Sequence, residues 1–234
     1  MFAPIALISF DLDDTLWPFG PAVARAERVL FDWLHAHVPG CRSFLHTPAV
    51  LREFRARVLE SQPELAHDMS GLRCASIAAI LQAAGASPAL VDVVYPIFLA
   101  ERQRVDLYPD VLPALGWLAK RYPLIAITNG NACVHAAGLG HFFQHVFQAQ
   151  TTGHAKPDPR IFHTAAAQAG IAPAQVLHVG DDLHLDVHGA QGAGMQAAWL
   201  RRPDLAHLPP ATQSPAPVFA DLHALCQALG QHQT

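Results

Sequence analysis

Two rhythms of apolar residues alternate along the chain. Short apolar runs give way to stretches in which apolar residues recur every three or four positions. The first run, Ile5-Ala6-Leu7-Ile8-Ser9, is too short for a helix and rich enough in branched side chains for a buried strand. It leads into Phe10-Asp11-Leu12-Asp13-Asp14-Thr15-Leu16. From Pro21 to about Arg104 the rhythm is helical. Pro21 suits a first turn, and Val23, Ala26, Leu30, Trp33 and Leu34 recur at helical spacing until Pro39-Gly40 breaks the run. Thr47-Pro48 opens a second helix carrying Leu51, Phe54, Val58 and Leu59. A third runs from about Ser70 to Ala84 and ends at Gly85. Ser87-Pro88 caps a fourth through Val91, Val94, Phe98 and Leu99.

Strands return after Tyr108-Pro109-Asp110. A helix through Val111, Leu115 and Leu118 precedes the strand Leu124-Ile125-Ala126-Ile127, which stops at Thr128-Asn129-Gly130. A short helix follows, then the strand Val146-Phe147-Gln148 and a polar loop from Thr151 to Asp158. A helix from about Pro159 to Ala169 leads to the strand Gln175-Val176-Leu177-His178-Val179, which ends in Gly180-Asp181-Asp182. A helix from Asp186 to Gly194, a strand from Met195 to Leu200, a Pro-rich surface connection from Pro203 to Pro217 and an amphipathic helix from Asp221 complete the chain. Strands alternating with helices predict an α/β fold, a doubly wound, Rossmann-like parallel sheet. The expected division is a discontinuous core of residues 1–16 and 107–234 with an all-helical insertion at 17–106.

Composition narrows the function classes. The 234 residues are 51% hydrophobic and 15% charged, as in a globular protein. A net charge of -4 gives no footprint for nucleic acid or an anionic membrane surface. No apolar run is long enough to span a bilayer, and the start lacks the basic segment of a signal peptide. Cys41, Cys74, Cys133 and Cys226 are scattered without a CxxC pair, so free thiols and a cytoplasmic location are expected. A monomer and a homodimer both fit.

The chemistry gathers at strand ends, where open α/β sheets place their sites. Asp11 and Asp13 are two residues apart, so on an extended path they project to the same side. Crowded carboxylates repel unless a cation sits between them, and a hard divalent ion such as Mg²⁺ suits oxygen ligands. Thr128 and Asn129 offer a hydroxyl, an amide and backbone N–H groups for an oxyanion, and Lys156 offers a mobile point charge for a phosphate. Asp181 and Asp186 add carboxylates near a metal.

Asp11-x-Asp13-x-Thr15 after an apolar strand, then Thr128-Asn129, Lys156-Pro157 and Gly180-Asp181-Asp182 through Asp186, resemble the four motifs of the haloacid dehalogenase-like hydrolase superfamily, in order. The resemblance spans the core, about two thirds of the chain, and the helical block is similar to the family's helical cap. It implies a Mg²⁺-dependent phosphatase acting on a small-molecule phosphate monoester under a lid that excludes water. Asp11 is then the nucleophile that forms an aspartyl-phosphate, and Asp13 the general acid and base. Thr128, Asn129 and Lys156 bind the phosphate, with Thr128 and Lys156 also catalytic. Asp11, the main-chain carbonyl of Asp13, and Asp181 hold the metal, and Asp182 and Asp186 orient Lys156 or metal-bound water. The dehalogenase branch of the family lacks a second acid at the position of Asp13. Phosphonate cleavage needs a cap lysine, and residues 21–106 contain none.

Ala126-Ile127-Thr128-Asn129-Gly130-Asn131, Gly138-Leu139-Gly140, His178-Val179-Gly180-Asp181-Asp182-Leu183 and Gly194-Met195-Gln196-Ala197 resemble bacterial members that dephosphorylate flavin mononucleotide and the phosphorylated ribitylaminouracil of riboflavin synthesis. Other phosphometabolites (a nucleotide, phosphoglycolate), 2-haloacid dehalogenation and an inactive binding protein are the alternatives. Of the remaining features, His184 and His188 have a zinc-compatible spacing without a third ligand, and Gly189-x-x-Gly192-x-Gly194 reads as close packing and a helix stop. Arg73 reads as a substrate-anion contact or an exposed helix-face residue. Trp17 reads as cavity lining or core, and Cys133 as a small buried hydrophobe.

Overall fold

The computed structural model describes residues 2–203, 205, 211 and 214–231. Most of the expected connection from Pro203 to Pro217 lies outside the described residues. The chain divides into two compact units, one of Met1–Pro18 with Asp106–Thr234 and one of Phe19–Val105. The first division falls two residues later than the sequence suggests. Trp17 belongs with the sheet unit because its indole N–H donates to Asp13 Oδ1 (2.8 Å) and its carbonyl accepts from Asp14 N (2.7 Å).

In the sheet unit six strands lie in the order β3-β2-β1-β4-β5-β6, every pairing parallel. They are β1 (Leu7–Phe10), β2 (Leu124–Thr128), β3 (Phe143–Gln148), β4 (Val176–Gly180), β5 (Gln196–Leu200) and β6 (Val218–Phe219). The central strands β1, β2 and β4 are buried at every position, which is why they read as continuous apolar runs instead of alternating ones. Winding proceeds outward from β1 through β2 to β3, then returns to the other side of β1 for β4, β5 and β6. The switch point therefore lies between β1 and β4, and side chains leaving the ends of those strands meet there.

Leu7 on β1, Ile125 and Ile127 on β2 and Val176 on β4 pack on Ile161, Phe162, Ala165 and Ala166 of the helix Pro159–Ala169. Period-two alternation puts Ser9 and Asp11 on the same side of β1 as Leu7. The short helix expected after Gly130 is a series of turns. The single helix expected from Asp186 is a π-turn segment, Leu183–His188, followed by one α-turn, Gly189–Gly192. Strand β6 was hidden from sequence reasoning by its two-residue length.

The helical unit contains α1 (Phe19–His37), α2 (Ala49–Ser61), α3 (Met69–Ala83) and α4 (Val91–Arg102). Ala26, Leu30 and Leu34 of α1 share a core with Leu51, Ile77, Ile80, Leu81, Val94 and Phe98. Asp68 caps α3 by accepting from Gly71 N (2.8 Å). Arg73 is buried, not on an exposed helix face: it lies over the Phe98 ring and donates to Glu27 Oε1 (3.3 Å). Arg52 reaches the other oxygen of Glu27 (3.2 Å). Burial and the charge of Arg55 push the Arg73 pKa down, and Glu27 opposes them. Glu27→Ala removes the carboxylate and leaves a buried guanidinium unanswered. It is expected to destabilise the helical unit by about 3–5 kcal/mol, read as a lowered unfolding midpoint.

Candidate active site

Asp11 leaves the end of β1 and donates its N–H to Val179 O of β4 (2.9 Å), so the two strands that flank the switch point hold it. Leu12 is buried. Asp14 then takes a left-handed backbone (φ 58°), a conformation Asp tolerates better than most residues. That turn folds the segment back, and the Thr15 hydroxyl donates to Asp181 Oδ1 (3.0 Å) from across the switch point. Buried Arg202 fixes the same turn by donating to Thr15 O (2.8 Å) while it pairs with both oxygens of Asp110 (2.8 Å each).

Lys156 carries the ion pairs of the site. Its Nζ donates to Asp11 Oδ1 at 2.5 Å and to Asp186 Oδ1 at 2.6 Å, and the side chain is almost completely enclosed. The charge that the sequence offers for a phosphate is here paired with two carboxylates. Asn129, expected on phosphate, uses its side chain to bracket the backbone of Lys156: its amide donates to Lys156 O (2.9 Å) and its Oδ1 accepts from Lys156 N (2.7 Å). Thr128 ends β2, and its Oγ1 accepts from Gly130 N (3.0 Å), which leaves the hydroxyl proton available to a ligand.

Asp186 is the hub behind Lys156. Besides the lysine, its Oδ1 faces His178 Nε2 (3.1 Å), and its Oδ2 accepts from Asp182 N (3.0 Å). A Cβ at residue 180 would collide with this carboxylate, so the strand must end in glycine there. Asp182 turns away from Lys156. Its carboxylate accepts from His184 N (2.7 Å) and Leu185 N (2.8 Å) and caps the π-turn segment. The carboxylate of Asp13 is oriented by the indole of Trp17, which is fully buried and therefore core.

Among the described residues, Asp11, Asp181 and Asp186 offer carboxylate oxygens within 4.8 Å of one another, and no other His, Cys, Asp or Glu grouping of three or more could hold an ion. His184 and His188 thus lack further ligands. Burial pushes the Asp11 carboxyl up to about 7 even with Lys156 beside it. Burial, then the charges of Asp11 and Asp186, push Asp181 up to about 9. For Asp186 burial also works upward, but Lys156 and His178 outweigh it and hold the carboxyl below the usual range. Burial disfavours the charge on Lys156, yet Asp11 and Asp186 raise its pKa overall. Two acids that prefer protons in the absence of metal, beside a third held ionised, are a donor set suited to a divalent cation.

This has a measurable consequence. A carboxyl whose pKa is higher in the folded than in the unfolded state stabilises the fold at low pH and loses that contribution as pH rises. Metal-free protein is therefore expected to lose thermal stability between about pH 4 and 9 as Asp11 and Asp181 ionise. Divalent cation is expected to raise the midpoint most at the alkaline end, and calorimetry with and without chelator checks both.

Sequence reasoning did not single out His178, Ser9, Arg202, Asp110 or Trp199, whose indole donates to Asp181 O (2.6 Å). The available signals were a histidine inside an apolar strand and a pair of arginines, Arg201-Arg202, after one. Cys133, expected buried, is exposed, and the four cysteines are free thiols. Gly189 does serve close packing, since a Cβ there would stand 3.0 Å from the Phe162 ring. Among the described residues no helix is long and apolar enough to cross a membrane.

Comparison with known proteins adds independent observations. A family model for haloacid dehalogenase-like hydrolase matches residues 5–194. The chain is 38% identical over 206 residues to the 5-amino-6-(5-phospho-D-ribitylamino)uracil phosphatase YigB of Escherichia coli, with 84% of each chain covered. It is 36% identical over 128 residues to a phosphoserine phosphatase of Thermus thermophilus, covering 52% of this chain and 51% of that protein. A solved structure described as 2-haloacid dehalogenase from Pseudomonas syringae pv. Tomato DC3000 matches with a TM-score of 0.87 at 36% identity, covering 97% of this chain and 99% of that one.

Proposed function

The chain belongs to the haloacid dehalogenase-like hydrolases, and from that premise we propose that it is a Mg²⁺-dependent phosphatase for small phosphate monoesters, acting through an aspartyl-phosphate on Asp11. The observation that carries the reading is the pairing of Asp11 with Lys156 at 2.5 Å beside a second acid two residues on. A carboxylate nucleophile approaching a phosphate dianion needs fixed positive charge at hand, and a buried lysine delivers it without reorganisation.

Each residue then has a task. Lys156 occupies Oδ1 of Asp11, and the other carboxylate oxygen is the attacking atom in this reading. Thr128 donates its hydroxyl proton to a phosphoryl oxygen. Asn129 contributes by locking the Lys156 backbone. Asp13, held by Trp17, gives a proton to the leaving alkoxide and takes one from the water that cleaves the intermediate. Asp11 and Asp181, with the main-chain carbonyl of Asp13, would hold the cation, and Asp186 would hold Lys156. A bound Mg²⁺ supplies Lewis-acid neutralisation of the phosphoryl oxygens.

A dehalogenase reading has one observation in its favour, the likeness to the Pseudomonas syringae structure. Halide leaves without needing a proton, whereas an alkoxide needs one, and Asp13 is the group that provides it. The relative in Escherichia coli points to a sugar-alcohol phosphate on a pyrimidine as substrate, and flavin mononucleotide carries the same ribityl phosphate. The test is a panel of phosphomonoesters, flavin mononucleotide included, run beside 2-haloacids. Phosphate release without halide release is expected, and the reverse would overturn the proposal.

A further inference from the structure

Behind the lysine runs a buried chain of polar groups that ends far from solvent. Ser9 Oγ lies 2.9 Å from His178 Nδ1, and His178 Nε2 lies 3.1 Å from the oxygen of Asp186 that Lys156 also touches. Ser9, His178 and Asp186 are all buried, with relative exposures of 0%, 0% and 1%. A strand interior holds such groups only when they are satisfied by one another.

The proton positions follow from the partners. Asp186 Oδ1 accepts from Lys156 Nζ and lies 3.1 Å from the ring, so Nε2 is the nitrogen that donates to it. With Nε2 donating, Nδ1 carries the lone pair, and the Ser9 hydroxyl 2.9 Å away is its donor. The Ser9 hydroxyl thereby fixes one tautomer, and the tautomer fixes one rotation of the Asp186 carboxylate. Oδ1 is presented to Lys156 and Oδ2 to Asp182 N. Phe162 meets the imidazole edge-on, ring centroids 5.2 Å apart, and restrains the ring from the helix side.

We propose that His178, set by Ser9, is a positioning residue for phosphoryl transfer: through Asp186 it fixes the Lys156 ammonium against Asp11. Without the imidazole donor the Asp186 carboxylate can rotate and Lys156 loses its fixed distance from the nucleophile. The inference rests on the phosphatase reading, in which none of Ser9, His178 and Asp186 touches substrate.

Steady-state kinetics on a phosphomonoester that the wild-type protein hydrolyses, with Mg²⁺ present, tests it. His178→Phe keeps ring volume and removes the donor. It is expected to lower kcat about 10–100-fold, the usual cost of losing such a supporting partner, with KM nearly unchanged. His178→Gln, whose amide can reach Asp186, is expected to recover most of the loss. In an Asp186→Asn background His178→Phe is expected to cost nothing further, because the effect passes through that carboxylate. Should His178→Phe fail to fold, His178→Gln and the shorter His178→Asn decide: an active Gln variant beside an impaired Asn variant supports the relay.

Full kcat in a folded His178→Phe, equal activity of the Gln and Asn variants, or an undiminished further loss in the Asp186→Asn background would each overturn it. Absence of phosphomonoester hydrolysis by the wild-type protein would instead overturn the phosphatase reading itself.

Discussion

Asp11→Asn is expected to abolish turnover, by at least about 10⁴-fold in kcat, while the protein stays folded. The amide has the size of the carboxylate but lacks the anionic oxygen that would form the acyl phosphate. Stability does not suffer, because burial disfavours the Asp11 charge and pushes its carboxyl up to about 7. Asp186, 2.6 Å from Lys156 in the native protein, remains available as its counterion. Metal-free Asp11→Asn is therefore expected to unfold at or above the wild-type midpoint near neutral pH, in contrast to its activity. Phosphate release and calorimetry on one preparation check both halves.

Lys156→Ala damages activity and fold together. Activity falls about 10²–10³-fold, the effect of removing one preorganised electrostatic contact to a developing anion. The fold loses the cation between two buried carboxylates, Asp11 and Asp186, at a cost of about 3–5 kcal/mol before proton uptake relieves part of it. Lys156→Arg is not expected to rescue. The slot is enclosed and built for a point charge with two short contacts of 2.5 and 2.6 Å, which a planar guanidinium does not match. Opposite stability effects of Asp11→Asn and Lys156→Ala are a sharp signature of this electrostatic arrangement.

Much of this was legible in the chain because the informative residues stand where a strand stops. A fully buried parallel strand reads as an unbroken apolar run, so its end is visible, and Asp11, Thr128 and Asp181 each stand at or just past such an end. The helix Pro159–Ala169 was bounded by its proline and its following glycine. What stayed hidden depends on contacts between distant segments. Asn129 has the donors for a phosphate, but it lies 27 residues from the Lys156 backbone that takes both ends of its amide. Asp182 and Asp186 look alike in sequence. Only the π-turn between them commits one to capping and the other to Lys156.

The buried Arg73 and the exposed Cys133 mark the same boundary between local and tertiary information. Helical periodicity places a side chain on a face, and what covers that face comes from another element. For Arg73 the cover is Glu27 from α1 and Phe98 from α4, which turn a charged residue into part of a core.

The central claim is that Asp11 bonds covalently to phosphorus during turnover. Rapid quench of the protein with a saturating phosphomonoester, followed by proteolysis and mass spectrometry, tests it most directly. A transient phosphoryl adduct on the carboxylate of Asp11 is expected, formed in the wild-type protein and absent in Asp11→Asn. A wild-type protein that turns the ester over with no adduct at any quench time, or with the adduct on another residue, would contradict it.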